Sequence, residues 1–262
     1  MKSPEKVKKY IVDWLKAYII NSKQNGFVVG VSGGVDSAVT STLCALTKCP
    51  VYVIEMPIHQ DKNQISRSRH HIEWLVSNYK NVNPISHSLT KTFDTFKDEI
   101  KKTNLKLDLL TLANTRARLR MATLYYFAGS NKCIVAGTGN KIEDFGVGFY
   151  TKYGDGGVDI SPIADLLKSE VFSLASHLNI IQSILIAKPT DGLWDDGRTD
   201  EDQMGASYKE LEEAMDLIEK KISDNSLTKN QNKVRKIFQN LNSQNKHKMI
   251  PIPLCKIPKG FL

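Results

Sequence analysis

Hydrophobic residues occur along this chain in two alternating patterns, short apolar runs and longer stretches with helical spacing. The short runs predict buried strands at 26–31, 51–55, 82–86 and 132–136. The spaced stretches predict helices at 5–22, 36–48, 64–78, 91–101, 108–128, 207–222 and 226–242. Because strands that alternate with helices are typical of βαβ units, we predict one α/β domain over residues 1–262. It should be doubly wound around a mostly parallel sheet, with helices on both faces and a helical C-terminal part.

Two glycine-rich and charged segments interrupt this alternation, the central segment (137–161) and the late segment (189–205). Connections of this length are uncommon in a compact domain unless they are functional or disordered. Each segment taken alone fits a solvated loop as well as a binding loop. Phe149 and Trp194 favour ordering around a ligand, since large aromatic side chains gain little in a loop that meets only water.

The strand predicted at 26–31 ends in a turn with the sequence Gly30-Val31-Ser32-Gly33-Gly34-Val35-Asp36-Ser37. The following helix offers unpaired N–H groups and the positive end of its dipole to an anion. Glycines let the backbone approach a phosphate, and Ser32 and Ser37 add hydroxyl donors. Asp36 would repel that phosphate unless a cation such as Mg²⁺ lies between them. The alternative is a plain strand-to-helix turn capped by Asp36 or Ser37.

Charge, cysteine spacing and the length of apolar runs limit the binding partners and the cellular compartment that this chain can have. The net charge of +8 suits an anionic partner, and small phosphorylated ligands explain it as well as RNA would. The chain has no long basic block and no aromatic ladder, so we predict no nucleic-acid partner. Its four cysteines lack the paired spacing of a zinc site, and no apolar run reaches membrane-spanning length. We therefore predict a cytoplasmic protein without a membrane partner.

Five motifs together carry a resemblance to a known family. They are GVSGGVDSA at 30–38, NTRARLRM at 114–121, GT at 137–138 with Glu143, TKYGDGGVDI at 151–160 and KPTDGLW at 188–194. This combination resembles the ammonia-dependent NAD synthetases, a branch of the N-type ATP pyrophosphatases, over about residues 5–250. The resemblance implies an adenine nucleotide alpha hydrolase-like fold.

A reaction is implied as well. ATP and nicotinic acid adenine dinucleotide (deamido-NAD) bind with Mg²⁺, and the substrate carboxylate attacks the α-phosphate to give an acyl-adenylate and pyrophosphate. Ammonia then displaces AMP and leaves NAD, in the final step of NAD biosynthesis. This chemistry needs charge neutralisation on the pyrophosphate and exclusion of water from the adenylate.

Site residues follow from the matched motifs. The resemblance implies that ATP is bound by Gly30, Ser32, Gly33, Gly34, Asp36, Ser37, Thr138, Lys168 and Thr190. It assigns Mg²⁺ to Asp36 and Glu143, and deamido-NAD to Arg118, Lys152, Asp159 and Lys246. The implied catalytic set is Asp36, Glu143, Lys168 and Asp155, the last of these near the path of ammonia.

The chain departs from the family pattern near its C-terminus. Where the family commonly has His-Lys-Arg, this chain has Asn245-Lys246-His247. Lys246 keeps a positive charge, but His247 cannot replace a bidentate arginine. Adenosine contacts are expected after Met56-Pro57, although the residues there do not align uniquely with the family.

Free ammonia is the expected nitrogen donor. Glutamine-dependent relatives carry an additional amidase domain with a nucleophilic cysteine, and residues 1–24 hold only a helix. The family works as a homodimer with the dinucleotide at the subunit interface. The helix with Met121, Leu124, Tyr125, Tyr126 and Phe127 is a candidate interface element, and core packing explains the same residues equally well.

Two other classes remain open. A second ATP pyrophosphatase activity, such as that of a GMP synthetase subunit or a tRNA-modifying thiolase, would use the same glycine turn. A non-catalytic nucleotide-binding or RNA-binding module would bind without turnover and with a steep salt dependence. The second class leaves the pairing of Asp36 with Glu143 unexplained.

Overall fold

The computed structural model of the chain describes residues 1–103, 105–194 and 197–261. Within these residues the sheet has four parallel strands, β1 (Gly26–Gly30), β2 (Val51–Glu55), β3 (Val82–Ser86) and β4 (Cys133–Val135). Their order is β3-β2-β1-β4, so the chain moves outward from β1 and then crosses to its other side. This reversal confirms the doubly wound fold. It opens a crevice between the carboxyl ends of β1 and β4, where such folds bind ligands.

Seven of the helices in the described part of the chain lie close to the positions that the hydrophobic pattern predicts, and the three between residues 168 and 204 lie outside the predicted ranges. The helices are α1 (Pro4–Ser22), α2 (Val35–Leu46), α3 (Lys62–Asn78), α4 (Thr90–Lys101), α5 (Leu109–Asn131), α6 (Lys168–His177), α7 (Gln182–Leu185), α8 (Asp200–Met204), α9 (Tyr208–Glu219) and α10 (Lys229–Met249). α10 continues well beyond the predicted end at 242. Its last turns are anchored, because Asn242 and Asn245 donate to backbone carbonyls of the central segment.

Apolar residues cover both faces of the sheet, as predicted. Alternate residues of a strand point to opposite sides, so Phe27 and Val29 of β1 face α1, α2 and α6, while Val28 faces α4 and α5. The fully buried Leu15 and Leu174 belong to the first of these layers. A helical layer on each face therefore holds β1 in the centre of the molecule, next to the crevice.

A third apolar cluster forms the helical C-terminal part. Leu211 of α9 and Phe238 of α10 pack against Ile142 and Val147, which belong to a π-helical turn at Ile142–Val147. The sequence pattern predicts a loop there, because glycines and acids hide the apolar spacing of this turn. π-Helical turns are frequent at functional sites, and this one carries Glu143. The C-terminal helices thus fix one of the predicted site residues.

The aromatic helix proposed for an interface is split between core and surface. Leu124 and Phe127 of α5 pack against the buried layer beneath the sheet, whereas Tyr126 is 71% exposed. The interface role of α5 stays a prediction. Within the described part of the chain, every helix is too short or too polar to cross a membrane.

Candidate active site

The turn after β1, the glycine loop (residues 32–37), leads directly into α2. Gly33 has a φ of 84°, and a Cβ at this position would lie 2.7 Å from the carbonyl oxygen of Gln64. Ser37 Oγ donates to the Gly34 carbonyl at 3.0 Å and accepts from Ser32 N at 3.2 Å. Gly34 is the N-cap of α2, and no side chain caps it. Ser37 therefore holds the loop together by hydrogen bonds to its backbone, and Asp36 does not cap the helix.

Asp36 and Glu143 meet at the ammonium group of Lys168. The Lys168 Nζ donates to Asp36 Oδ2 at 2.6 Å and to Glu143 Oε1 at 3.0 Å. Lys168 is the first residue of α6, and its side chain is only 4% exposed. The three residues come from three distant parts of the chain, and each follows a turn at the crevice. The proximity of the two acids is thus a property of the fold.

The charges of this trio depend on one another. Burial raises the pKa of Asp36, although Lys168 beside it acts in the opposite direction. Burial also opposes ionisation of Glu143, but Lys168 and the Tyr208 hydroxyl hold the pKa of that carboxyl below its ordinary value. Burial would lower the pKa of Lys168, yet the two carboxylates keep it raised. The charged ammonium group of Lys168 therefore keeps the two buried acids side by side.

Asn140 and Tyr208 hold the two acids from their other sides. Asn140 is fully buried, donates from Nδ2 to Asp36 at 3.1 Å and accepts from the Glu143 N–H at 3.1 Å. The Tyr208 hydroxyl lies 2.5 Å from Glu143 Oε1 and 3.2 Å from Asp200 Oδ2. Since a hydroxyl has one proton, both contacts are satisfied together when Asp200 is protonated, and burial raises the pKa of Asp200 to about 7.

The acid pair fits a Mg²⁺ ion that shares its ligands with a nucleotide. Mg²⁺ commonly takes one or two carboxylates together with substrate phosphates. Among the described residues, no group of three or more His, Cys, Asp and Glu side chains could hold a metal ion by itself. Asp36 and Glu143 supply two hard oxygen donors beside a loop shaped for phosphates. The donor set therefore suits a metal–nucleotide complex better than an all-protein metal cage.

A cavity of about 640 Å³ spans the crevice. It is lined by the predicted residues Gly30, Ser32, Gly33, Gly34, Asp36, Ser37, Thr138, Glu143, Asp155, Lys168 and Thr190. Asp155 belongs to a tightly packed part of the fold but faces the open cavity, and Thr151 N donates to its carboxylate at 2.9 Å. Burial raises the pKa of Asp155. The structure thus gathers the predicted ATP-binding and catalytic residues around one space.

The segment at 151–159 lies along one face of α5. A Cβ at Gly154 would come within 2.8 Å of Ala117, and a Cβ at Gly157 within 2.9 Å of Met121. Asp159 completes the contact, accepting from the Tyr125 hydroxyl at 3.0 Å and from Val135 N at 2.8 Å. Positions four apart on α5 share a face, so the glycines of this motif let the backbone approach the helix. Asp159 has a structural set of partners and lies outside the cavity lining.

The other residues predicted to bind the dinucleotide are Arg118, Lys152 and Lys246. Together with Lys248, which was not predicted, they make up the basic cluster beside the cavity. Arg118 donates to the Lys152 carbonyl at 3.3 Å, and Lys152 Nζ donates to the His247 carbonyl at 2.8 Å. Lys246 is exposed and does not line the cavity. Lys248 does, with its Nζ held by the Gly148 and Tyr150 carbonyls at 2.9 and 2.8 Å. Lys248 was not predicted from the sequence, and the role of Lys246 toward the dinucleotide stays a prediction.

The late segment is ordered against the cavity. Arg116 donates to the Leu193 carbonyl at 2.9 Å, and its guanidinium lies 4.9 Å from the centre of the Phe93 ring. Asp191 N donates to Asp200 at 2.8 Å, and Trp194 Nε1 donates to Gln203 at 2.8 Å. These contacts favour the binding loop over the solvated loop. Positions 195 and 196 of this segment lie outside the described residues.

Comparisons with known proteins show the family to which this fold belongs. The family model described as NAD synthase matches residues 7–251. The chain belongs to the NAD synthase family. An NH(3)-dependent NAD(+) synthetase of Archaeoglobus fulgidus is 38% identical, over 95% of this chain and 96% of the relative. Among solved structures, an NMN synthetase from Francisella tularensis has a TM-score of 0.84 at 31% identity, covering 98% of this chain and 99% of that one.

A third relative supports the same fold. An NH3-dependent NAD synthetase from Campylobacter jejuni has a TM-score of 0.78 at 25% identity, covering 97% of this chain and 99% of that chain. Family membership and the parallel sheet with helices confirm the fold class and the resemblance predicted from the motifs. The roles of individual residues stay predictions.

Several residues of this NAD synthase site were not predicted from the sequence. Asn140 stands two positions after Thr138 of the GT motif, close to the end of β4, and its position there was a usable signal. Asp144 follows Glu143 and lines the cavity, and burial together with the charge of Glu143 raises its pKa to about 8. Tyr208 and Lys248 carry no local signal. They reach the site only because α9 and α10 pack against the π-helical turn.

Proposed function

We propose that this chain catalyses the ATP-dependent amidation of deamido-NAD by ammonia, giving NAD, AMP and pyrophosphate. The observation that carries the proposal is the convergence of the glycine loop, Asp36, Glu143 and Lys168 on one cavity. Its family membership supports the same reaction, since relatives over almost the full chain are named NH(3)-dependent NAD(+) synthetases. The enzyme is therefore a ligase that forms a carbon–nitrogen bond in NAD biosynthesis.

The glycine loop and its neighbours bind the triphosphate of ATP. Backbone N–H groups at the start of α2 and the Lys168 ammonium face the phosphates. Asp36 and Glu143 would hold Mg²⁺, which supplies positive charge against the departing pyrophosphate. Gly34 approaches the phosphates without a side chain in the way. These groups stabilise the charge that develops when the bond beyond the α-phosphate breaks.

The opposite side of the cavity receives the nicotinate group and ammonia. Thr151 and Asp155 line it, and Lys248 holds its charge at the edge. Desolvation by the surrounding protein raises the pKa of the Asp155 carboxyl although the residue is exposed to the cavity, which makes this group a better proton acceptor than an ordinary aspartate. Asp155 would orient an incoming ammonium ion and take its proton, leaving ammonia to attack the acyl-adenylate. The late segment shields that intermediate from water.

A second candidate substrate is nicotinic acid mononucleotide. The observation that favours it is the high structural similarity to a protein named NMN synthetase. Both substrates present the same nicotinate carboxylate, so the acid pair and Asp155 would serve either one. They differ in the adenylate half of the dinucleotide, which the basic cluster would bind.

One experiment tests both candidates. Purified protein is incubated with ATP, Mg²⁺, ammonium and either deamido-NAD or the mononucleotide, and the amide product and pyrophosphate are measured. We expect NAD and pyrophosphate in equal amounts, with a higher kcat/KM for the dinucleotide. A higher kcat/KM for the mononucleotide would assign the second function. Pyrophosphate release without an amide from either substrate would overturn both.

The remaining parts of the proposal concern assembly and compartment. We propose a homodimer in the cytoplasm, supported by the family resemblance and by the exposed aromatic side of α5. Light scattering at micromolar concentration tests the dimer, and a monomer under assay conditions would contradict it.

A further inference from the structure

Lys168 already stands between the two acids that would hold the metal. Its Nζ donates to Asp36 at 2.6 Å and to Glu143 at 3.0 Å, and its side chain is 4% exposed. Asn140 and Tyr208 fix the same two carboxylates from the outside, at 3.1 and 2.5 Å. The acids are therefore held in place before a metal ion enters, and a positive charge is present between them.

The charge balance of this site opposes a free dication. Among Asp36, Glu143 and Lys168, two carboxylates and one ammonium group leave one negative charge, so a dication added to these three groups would give them a net positive charge in a largely buried place. Uncompensated buried charge is costly. A triphosphate brings negative charge with the metal, and the glycine loop that would receive it lines the same cavity. A neutral side chain at position 168 would instead leave two negative charges, which match a dication.

We propose that Lys168 makes the site select the metal–nucleotide complex over the free metal ion. In the absence of nucleotide its ammonium group neutralises the acid pair and competes with a dication for both carboxylates. When the triphosphate enters the glycine loop, the ammonium gains a new anionic partner and the carboxylates become available. Lys168 is in this sense a specificity-determining residue, and the inference rests on the proposed function in that ATP is the nucleotide.

Binding of Mn²⁺ alone tests this selection without turnover. Free Mn²⁺ is measured by electron paramagnetic resonance during titration of the wild-type chain, Lys168→Met and the control Lys9→Met. Lys9 is an exposed partner of Asp13 in α1, so its variant changes the net charge equally but far from the site. We expect Lys168→Met to bind Mn²⁺ at least about tenfold more tightly than wild type, and Lys9→Met to bind like wild type. Adding Glu143→Gln to Lys168→Met should abolish the gain.

A second measurement uses the wild-type chain and does not depend on whether a variant folds. The Mn²⁺ titration is repeated with an ATP analogue that has a methylene group between its α and β phosphorus atoms. Mn²⁺ should bind to wild type together with the analogue at least about tenfold more tightly than it binds to the analogue alone or to the protein alone. Tight Mn²⁺ binding to wild type without nucleotide, or equal binding by wild type and Lys168→Met, would overturn the inference. Neither readout needs NAD formation, so a failed amidation assay would reject the proposed function alone.

Discussion

The acid pair and the basic cluster lie around one cavity, but the fold fixes them to very different degrees. Asp36, Glu143 and Lys168 are largely buried, and each makes hydrogen bonds through its side chain to at least one other member of the site. Arg118 and Lys246 are exposed, and Arg118 and Lys152 use their charges on backbone carbonyls. The reacting phosphates would therefore meet a preorganised site. The dinucleotide would meet side chains that its binding must still order.

The largest effect should follow from changing the acid pair. Glu143→Gln keeps the size of the side chain but removes the charge that pairs with Lys168. We expect kcat to fall by about a thousandfold, because a preorganised charged group is lost at the reacting phosphates. Pyrophosphate release under saturating substrates measures it.

An aspartate outside the site provides the matched control. Asp165→Asn removes a carboxylate that is 99% exposed and lies 3.6 Å from Lys141. Its kcat should match that of wild type, and near-ultraviolet circular dichroism should show that both variants are folded. Full activity in Glu143→Gln would contradict the view that the acid pair is a preorganised reacting site and the basic cluster is not.

A buried histidine behind the glycine loop predicts that the free energy of unfolding depends on pH. His71 lies behind the glycine loop, with Nε2 3.1 Å from Ser41 Oγ, and Ser41 in turn donates to the Ser37 carbonyl. Burial lowers the pKa of His71 from 6.5 to about 4. The unfolded chain therefore takes up a proton near pH 6.5 that the folded chain refuses until about pH 4. The contribution of neutral His71 to the free energy of unfolding is fully present above pH 6.5 and is lost as the pH falls toward 4.

Urea unfolding at several pH values measures this loss. The difference between the two pKa values corresponds to about 3 kcal/mol in the free energy of unfolding. The variant His71→Asn should lose less stability than wild type between pH 7 and 4, by roughly that amount. His247→Asn, in an exposed position beside the basic cluster, should keep the wild-type pH dependence. If the free energy of unfolding changed equally with pH in wild type and His71→Asn, burial would not hold the His71 ring neutral.

The strands and the glycine loop could be predicted from the sequence because their signals are local. Apolar runs mark β1 to β4, and Gly33 needs the positive φ that the structure shows. The pairing of Asp36 with Glu143 was implied by the family resemblance. The structure gives its physical reason, since each residue follows a strand whose carboxyl end faces the crevice. The strands and the glycine loop needed only local patterns, whereas the acid pair needed the match of whole motifs to the family.

The remaining site residues depend on packing that no local pattern reports. Tyr208 reaches Glu143 because α9 packs on the π-helical turn, and that turn is stabilised by contacts such as Phe238 against Gly146. Lys248 lines the cavity and Lys246 does not, because α10 packs with Lys248 against the Gly148 and Tyr150 carbonyls. A helix can present either residue, and only its packed face decides between them.

Asn140 tests how tightly the acid pair is held. The variant Asn140→Ala removes the hydrogen bond to Asp36 and leaves the Glu143 N–H without its partner. The free energy of unfolding should fall by about 2 kcal/mol, and kcat by about tenfold or more, because the carboxylates lose their fixed orientation. Asn78→Ala removes an exposed contact to the Trp74 carbonyl and should change neither quantity. Unchanged kcat in Asn140→Ala would mean that Lys168 and Tyr208 alone orient the acids.

The smallest effect distinguishes two lysines within the basic cluster. Lys248 is half-buried and lines the cavity, whereas Lys246 is exposed and is not part of the lining. Lys248→Met should raise the KM for deamido-NAD by about tenfold and leave kcat unchanged, because the charge contributes to binding and not to the reacting phosphates. Lys246→Met should change KM by less than about twofold. If Lys246→Met has the larger effect, α10 presents the other face to the substrate, and the exposed side of the cavity must rearrange when the dinucleotide binds.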